Sequence, residues 1–153
     1  MQLLAIIKSL NDGTVYADEA SFQTGALSYR HGMRNAGQSI AEARNLADAL
    51  VRRQYALAQN LLTQGLVADA YFQLSIGLHT LQDATSPAHA GFQVWSDHVS
   101  LGELILHADK ELTYPGSGSN LQRVTNELLD LFNHNAPLPA GNLLIKVGLA
   151  GND

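Results

Sequence analysis

Two histidines in the sequence each stand four residues before a carboxylate, and a third histidine lies between the two pairs. The pairs are His79 with Asp83 and His107 with Glu111, and the residue between them is His89. Residues four apart lie on one face of a helix, so each pair can direct an imidazole and a carboxylate at the same ion. Two such pairs and a further histidine indicate a site for more than one divalent metal ion.

A single imidazole–carboxylate pair is commonly a surface pair or a hydrogen-bonded pair without a ligand, so the two pairs are informative only together. In the second pair, His98 is the alternative to His107. His98 precedes Glu103 by five residues, which is a poor interval for a shared helix face. His107 with Glu111 is therefore the preferred pair.

The composition restricts both the ligands and the class of protein. The chain of 153 residues has no cysteine, so any zinc must be bound by histidine, aspartate and glutamate. Hydrophobic residues make up 46% and charged residues 15%, as is typical of a globular protein with a real core. The formal net charge is −5 and basic residues adjoin only at Arg52-Arg53, which disfavours stable binding of nucleic acid.

The start of the sequence is a short apolar run, residues 1–8, without a basic leader or a cleavage site, so it does not indicate a signal peptide. No apolar run approaches the ~18–20 residues that a transmembrane helix needs. These observations predict no transmembrane segment and leave the localisation open.

Helical periodicity and capping residues predict an all-α fold with a single domain over residues 1–153. Ser39 with Glu42 forms a capping-box pattern, and Gly65 is a helix-ending signal. Pro87 is expected to end the helix that carries His79. Helices are predicted at 2–10, 39–64, 67–83, 97–112 and 120–133.

Other segments are predicted to be less regular. Asn11-Asp12-Gly13 is expected to end the first helix, and residues 14–38 are expected to be irregular. The domain therefore divides into a loop-rich N-terminal part (1–38), a helical core (39–134) and a tail (135–153).

Three segments together resemble the zinc-dependent phospholipase C and P1/S1 nuclease superfamily. They are His79-x-x-x-Asp83, the turn Ser86-Pro87-x-His89-Ala90, and His107-x-x-x-Glu111. The resemblance implies a compact helical domain of that type in which clustered zinc ions activate water to cleave phosphate diesters. The glutamate of the last motif matches the phospholipase branch, which implies a phospholipid substrate or a membrane surface as partner. A P1/S1-like zinc nuclease is the alternative, and a non-catalytic helical binding module is the second alternative.

The resemblance also implies ligands outside these three segments. His31 precedes His79 by 48 residues, close to the family's spacing for a loop histidine. Asp18 is the nearest match to an aspartate that the family has about a dozen residues earlier, with Glu19 as the alternative. The implied ligands are Asp18, His31, His79 and Asp83 for one zinc ion, and His89, His107 and Glu111 for a second.

A third zinc ion is left open. Family members complete it with an N-terminal tryptophan and a further early histidine, whereas this chain begins with Met1 and has no histidine before His31. The family's example assigns Asp18 the catalytic role of orienting or deprotonating the attacking water. Aromatic residues are expected to line the substrate pocket, with ordinary core packing as the alternative; they are Tyr29, Phe92 and Trp95.

A longer motif resembles the C-terminal toxin domains of bacterial Rhs/YD-repeat proteins. It runs His79-Thr80-Leu81-Gln82-Asp83-x-x-Ser86-Pro87-Ala88-His89-x-Gly91-Phe92-Gln93, and the resemblance covers about residues 30–115. It implies a secreted effector domain, delivered as part of a larger protein and neutralised in its producer by an immunity protein.

Overall fold

The structure is a computed structural model that describes residues 2–23, 25–95 and 119–148. About 70% of it is helical, which confirms the predicted all-α fold. Within the described ranges, β pairing is confined to an isolated parallel bridge between Arg34 and Val94. The helix predicted at 97–112, with His98, His107 and Glu111, lies outside the described residues.

Five α-helices and two short 3-10 helices make up the described fold. The α-helices are α1 (Gln2–Ala17), α2 (Ile40–Thr63), α3 (Val67–Asp83), α4 (Asn120–Asn133) and α5 (Leu143–Gly148), and the 3-10 helices are Ala20–Phe22 and Gly25–His31. The predictions for α2, α3 and α4 agree with these bounds to within a residue. In the described part of the chain, no helix is both long and apolar enough to cross a membrane.

The start of α2 is fixed by the predicted capping box. The Glu42 N–H donates to Ser39 Oγ at 3.2 Å, and the Ser39 N–H donates to Glu42 Oε2 at 2.9 Å. Hydrogen bonds from Ser39 also lower the pKa of Glu42. At the other end Gly65 has a φ of +76°, a left-handed conformation that glycine adopts at little cost.

The predicted end of the first helix at Asn11-Asp12-Gly13 is wrong, because α1 continues to Ala17. Gly13 is buried inside α1 where this helix meets α3. A Cβ at Gly13 would lie 2.0 Å from Ser75 Oγ and 2.5 Å from the carbonyl oxygen of Phe72. The glycine therefore permits close helix packing and does not end the helix, and α1 finishes immediately before Asp18.

The central helix of the described fold is α3. Every residue from Leu74 to Leu81 is buried, because α1 packs on one side of α3 and α2 packs on another. Gly77 allows the approach of α2, since a Cβ there would lie 3.2 Å from Gln54 Cβ and 3.4 Å from the carbonyl oxygen of Val51. Burial on all sides explains why α3 shows no polar stripe.

The segment after α4 is attached to α2 by polar contacts. The Arg52 guanidinium donates to the carbonyl oxygens of Pro139, at 2.9 Å, and of Gly141. Asp48 Oδ1 accepts the Leu143 N–H at 2.8 Å and so holds the start of α5. Leu143 and Leu144 then complete the hydrophobic core.

Candidate metal centre

Three separate segments bring their side chains together at the C-terminal end of α3. Asp18 follows the last residue of α1, and His31 ends the 3-10 helix Gly25–His31. His79 and Asp83 lie one turn apart on α3, the arrangement that their spacing predicts. The structure thus brings together the four residues that the resemblance assigns to one zinc ion.

Gly32 explains how His31 reaches α3. This residue has a φ of +63°, and a Cβ on it would lie 2.9 Å from the Cα of Ala84. Only glycine satisfies both the left-handed backbone and this close approach. The chain can therefore turn directly against the end of α3, which places His31 beside Asp83.

The donor atoms of three of these residues form a small triangle. Asp83 Oδ2 lies 2.7 Å from His31 Nδ1 and 3.2 Å from His79 Nε2, and the two nitrogens are 3.3 Å apart. His31 is 2% exposed and His79 is 8% exposed, so the triangle is shielded from solvent. Asp18 Oδ1 lies 3.9 Å from His79 Nε2, on the more exposed side.

Hydrogen bonds can account for two of the three contacts in this triangle. A carboxylate oxygen only accepts, and each imidazole nitrogen carries at most one proton. If both imidazoles donate to Asp83, the nitrogens of His31 and His79 meet as two donors. The three short contacts therefore cannot all be separate hydrogen bonds, whereas one cation at their centre would be bound by all three atoms.

The spacing of the donor atoms fits a zinc ion. Four tetrahedral ligands held about 2.0–2.1 Å from zinc lie roughly 3.3 Å from one another. The separations of 3.2, 3.3 and 3.9 Å from His79 Nε2 to Asp83, His31 and Asp18 are close to this value. The shorter contact, between His31 and Asp83, has the length of a charge-assisted hydrogen bond.

The other ring nitrogen of His31 lies on the far side of the ring from the triangle, so it cannot bind the same ion as Nδ1. This atom, Nε2, is buried and has no hydrogen-bond partner among the described residues. A buried polar atom without a partner commonly marks the place of a bound water or ion. The donor set, two imidazoles with carboxylates and no sulfur, is one that zinc accepts.

The electrostatics keep Asp83 ionised. Burial is the largest influence and raises the pKa of Asp83, but hydrogen bonds from His31 and His79 outweigh it. Positive charge on His79 and on His89 adds to the decrease, and the pKa lies far below its usual value. Asp83 is thus an anion at every pH at which the protein is expected to work.

The pKa of His79 shifts in the opposite direction and lies above its usual value. Burial is again the largest influence and lowers the pKa of His79, but the hydrogen bond and the negative charge of Asp83 more than offset it. Asp18 contributes to the resulting increase in the pKa, and Arg30 opposes it. Protons therefore compete with a metal ion for His79 over a wider pH range than at an isolated imidazole.

Asp18 is the exposed carboxylate of the cluster, with 59% of its side chain accessible. Gln23 Nε2 donates to Asp18 Oδ1 at 2.9 Å and to its carbonyl oxygen at 3.0 Å, which orients the carboxylate. Asp18, His31 and His79 each offer a ligand atom within 4.8 Å of the others. Neither Glu19, the exposed alternative, nor Asp83 belongs to this group among the described residues.

Of the three residues predicted to bind the second zinc ion, only His89 lies within the described residues. His89 is 5% exposed and lies in a turn where its N–H donates to the carbonyl oxygen of Ser86 at 3.0 Å. Its charge helps to lower the pKa of Asp83, so it lies near the triangle. His107 and Glu111, its predicted partners, lie outside the described residues.

The three aromatic residues predicted to line a pocket differ in position. Phe92 is 3% exposed and belongs to the hydrophobic core, and Tyr29 is partly buried against that core. Trp95 is also partly buried, and its backbone N–H donates to the carbonyl oxygen of Arg34 at 2.9 Å, beside the Arg34–Val94 bridge. Contact of these residues with a substrate stays a prediction.

Comparison with known proteins adds no relative. No protein-family model, curated protein or solved structure matches the chain. The superfamily resemblance therefore rests on the motifs, and the metal centre rests on the geometry above.

The structure adds three residues that the sequence motifs did not identify. Gln23 orients Asp18, Gly32 brings His31 to α3, and Arg30 places a positive charge next to the cluster. Gly32 and Arg30 directly flank His31 in the sequence, and that adjacency was the one available signal. Gln23 could not be identified, because its contact depends on how residues 18–23 fold.

Proposed function

We propose that this chain is a zinc-dependent phosphodiesterase, phospholipase C-like in its chemistry, whose first zinc ion is bound by Asp18, His31, His79 and Asp83. The observation that supports this most strongly is the triangle formed by His31 Nδ1, His79 Nε2 and Asp83 Oδ2. These atoms converge at distances that suit one cation, and hydrogen bonds can account for only two of the three contacts.

The residues of the cluster have different roles in this proposal. Zinc, when bound, stabilises negative charge on the phosphoryl group and lowers the pKa of water. Asp83 is partly buried, with 18% of its side chain exposed, and is ionised, so it serves as an anionic ligand between His31 and His79. Asp18 is the exposed carboxylate, so a water molecule can reach it, and it is the residue that orients or deprotonates that water.

A second zinc ion, bound by His89 with His107 and Glu111, completes the proposed centre. The position of His89 near Asp83 supports a second ion close to the first. The expected substrate is a phospholipid at a membrane surface, and the toxin-domain resemblance suggests an immunity protein as a partner. Both of these last points rest on the resemblance.

Asp83→Asn tests the proposed function because it removes the anionic ligand and keeps the shape of the side chain. In zinc-supplied protein we expect kcat/KM for bis(p-nitrophenyl) phosphate to fall by at least about a hundredfold, since several kcal/mol of metal stabilisation are lost. Circular dichroism would show whether the helices are intact.

The matched control is Asp130→Asn. Asp130 also lies four residues from a histidine, His134, but both side chains are 74% exposed and lie at the C-terminal end of α4, outside the cluster. This variant is expected to be as active as wild type. Equal activity of Asp83→Asn and wild type would overturn the proposed function.

A further inference from the structure

Arg30 is held on an aromatic support next to the metal centre. It directly precedes His31 in the 3-10 helix, and its guanidinium lies over the ring of Phe22 at 3.8 Å from the ring centroid. Phe22 is itself in edge contact with Tyr16, whose ring lies 5.7 Å from that of Phe72 on α3. Stacking on Phe22 restricts the planar guanidinium to few orientations.

The positive charge of Arg30 has no ion-pair partner in the part of the chain that the structure describes. Among the described residues, no carboxylate lies within ion-pair distance of its guanidinium. Arg30 is nevertheless adjacent to His31, a member of the cluster, in the same 3-10 helix, and its charge opposes the increase in the pKa of His79. A partly buried arginine without a carboxylate partner, beside a cation site, is suited to bind an anion.

The formal charges of the site indicate what kind of anion this is. One zinc ion carries two positive charges, which Asp18 and Asp83 neutralise. The second proposed zinc ion with Glu111 adds one positive charge and Arg30 adds another, so the site has a net positive charge that attracts the single negative charge of a phosphodiester. A cationic group attached close to the phosphate would meet Arg30 as a like charge, which disfavours binding.

We propose that Arg30 binds the phosphate of the substrate and that the site selects phosphodiesters without a cationic head group. This inference rests on the proposed function, because it places the phosphate at the zinc cluster. It narrows the substrate class, since choline esters become poor substrates and esters of neutral alcohols become good ones.

Binding of inorganic phosphate tests the anchoring role directly. Isothermal titration calorimetry on zinc-loaded protein would compare wild type with Arg30→Gln, Arg30→Lys and Arg53→Gln. We expect Arg30→Gln to bind phosphate at least about tenfold more weakly, as befits one lost hydrogen-bonded charge. Arg30→Lys is expected to recover part of the affinity. Arg53→Gln removes the same charge from the exposed face of α2 and is expected to bind like wild type.

Substrate preference provides the second readout. The two substrates are p-nitrophenyl diesters of phosphate that differ only in the other alcohol, choline or ethanol. Wild type is expected to have the higher kcat/KM for the ethyl ester, and Arg30→Gln is expected to reduce that preference by about tenfold. An unchanged preference together with unchanged phosphate affinity would overturn the inference.

The failure of this inference can be distinguished from failure of the proposed function. If zinc binds and the diesters are cleaved, but Arg30→Gln behaves like wild type, only the role of Arg30 is lost. If no zinc binds, the proposed function is lost, and Arg30 is judged by phosphate binding to the metal-free protein. Equal phosphate binding by metal-free wild type and Arg30→Gln would then overturn the anion site as well.

Discussion

Asp83 and His79 each stabilise the charged form of the other, because a partly buried carboxylate and a buried imidazole lie 3.2 Å apart. The pKa of Asp83 lies below its ordinary value of 3.8, and that of His79 lies above its ordinary value of 6.5. Shifts of this kind contribute to folding stability through the difference in proton binding between the folded and unfolded states.

The metal-free protein should therefore lose stability as the pH rises above neutrality. The contribution of His79 is complete below pH 6.5 and is lost as the pH rises through its raised pKa. The contribution of Asp83 is complete above pH 3.8 and is lost as the pH falls through its lowered pKa. Urea unfolding of wild type and Asp83→Asn should show the largest difference between these two pH values, and a smaller difference at higher pH.

Bound zinc should reverse the loss of folding stability that the metal-free protein shows above neutral pH. Binding requires the imidazoles without their protons, so the free energy of unfolding of the zinc-loaded protein should rise where that of the metal-free protein falls. Parallel pH profiles with and without zinc would contradict the assignment of His79 as a ligand.

For individual residues, the sequence predicts contacts between partners that lie within one helix. His79 and Asp83 could be predicted as partners because helical geometry alone relates residues four apart. The contact of His31 with Asp83 spans 52 residues and depends on the turn at Gly32, so only the resemblance indicated it. Arg30 was not identified, because nothing in its local pattern distinguishes it from a surface arginine.

Among the secondary-structure elements, α3 carries His79 and Asp83. Gly32 determines how closely the segment that contains His31 packs against this helix. Gly32 and Gly37 both have positive φ, +63° and +80°. A Cβ at Gly32 would contact the backbone of Ala84, whereas a Cβ at Gly37 would meet nothing within 4 Å. Substitutions at these two glycines therefore distinguish the effect of backbone strain from the effect of close packing.

We expect Gly32→Ala to weaken zinc binding by about tenfold or more, because the clash with Ala84 moves His31 away from the other ligands. Gly37→Ala should cost about 1 kcal/mol of stability, from backbone strain alone, and leave zinc affinity unchanged. Competition with a chromogenic chelator would measure the affinities. Equal zinc affinity in both variants would mean that the turn at Gly32 does not position His31.

Elements with local signals were predictable from the sequence. The start of α2 follows from Ser39 and Glu42, and its end follows from Gly65, since caps act within one turn. The end of α1 was predicted wrongly, because a glycine that ends a helix and one that admits a neighbouring helix look alike. Gly13 is of the second kind, and the reason lies in Ser75 and Phe72, about sixty residues away.

The described part of the molecule is arranged around α3, with the buried middle of this helix in the core and its C-terminal end at the candidate metal centre. Helices α1 and α2 pack against α3, so the residues that follow α1 and precede α2 meet at the same end of α3. The all-α class was predictable because helical periodicity and caps are local. The relationship to the phospholipase C and nuclease superfamily stays a prediction that concerns the site more than the fold.

Zinc content is the property of the whole molecule that tests the central claim most directly. Tag-free protein would be saturated with zinc, dialysed, and measured by inductively coupled plasma mass spectrometry beside His79→Gln and Asp130→Asn. We expect about two zinc ions per chain in wild type and in Asp130→Asn, and the loss of at least one in His79→Gln. Wild type without zinc, or His79→Gln with the full wild-type content, would contradict the metal centre described here.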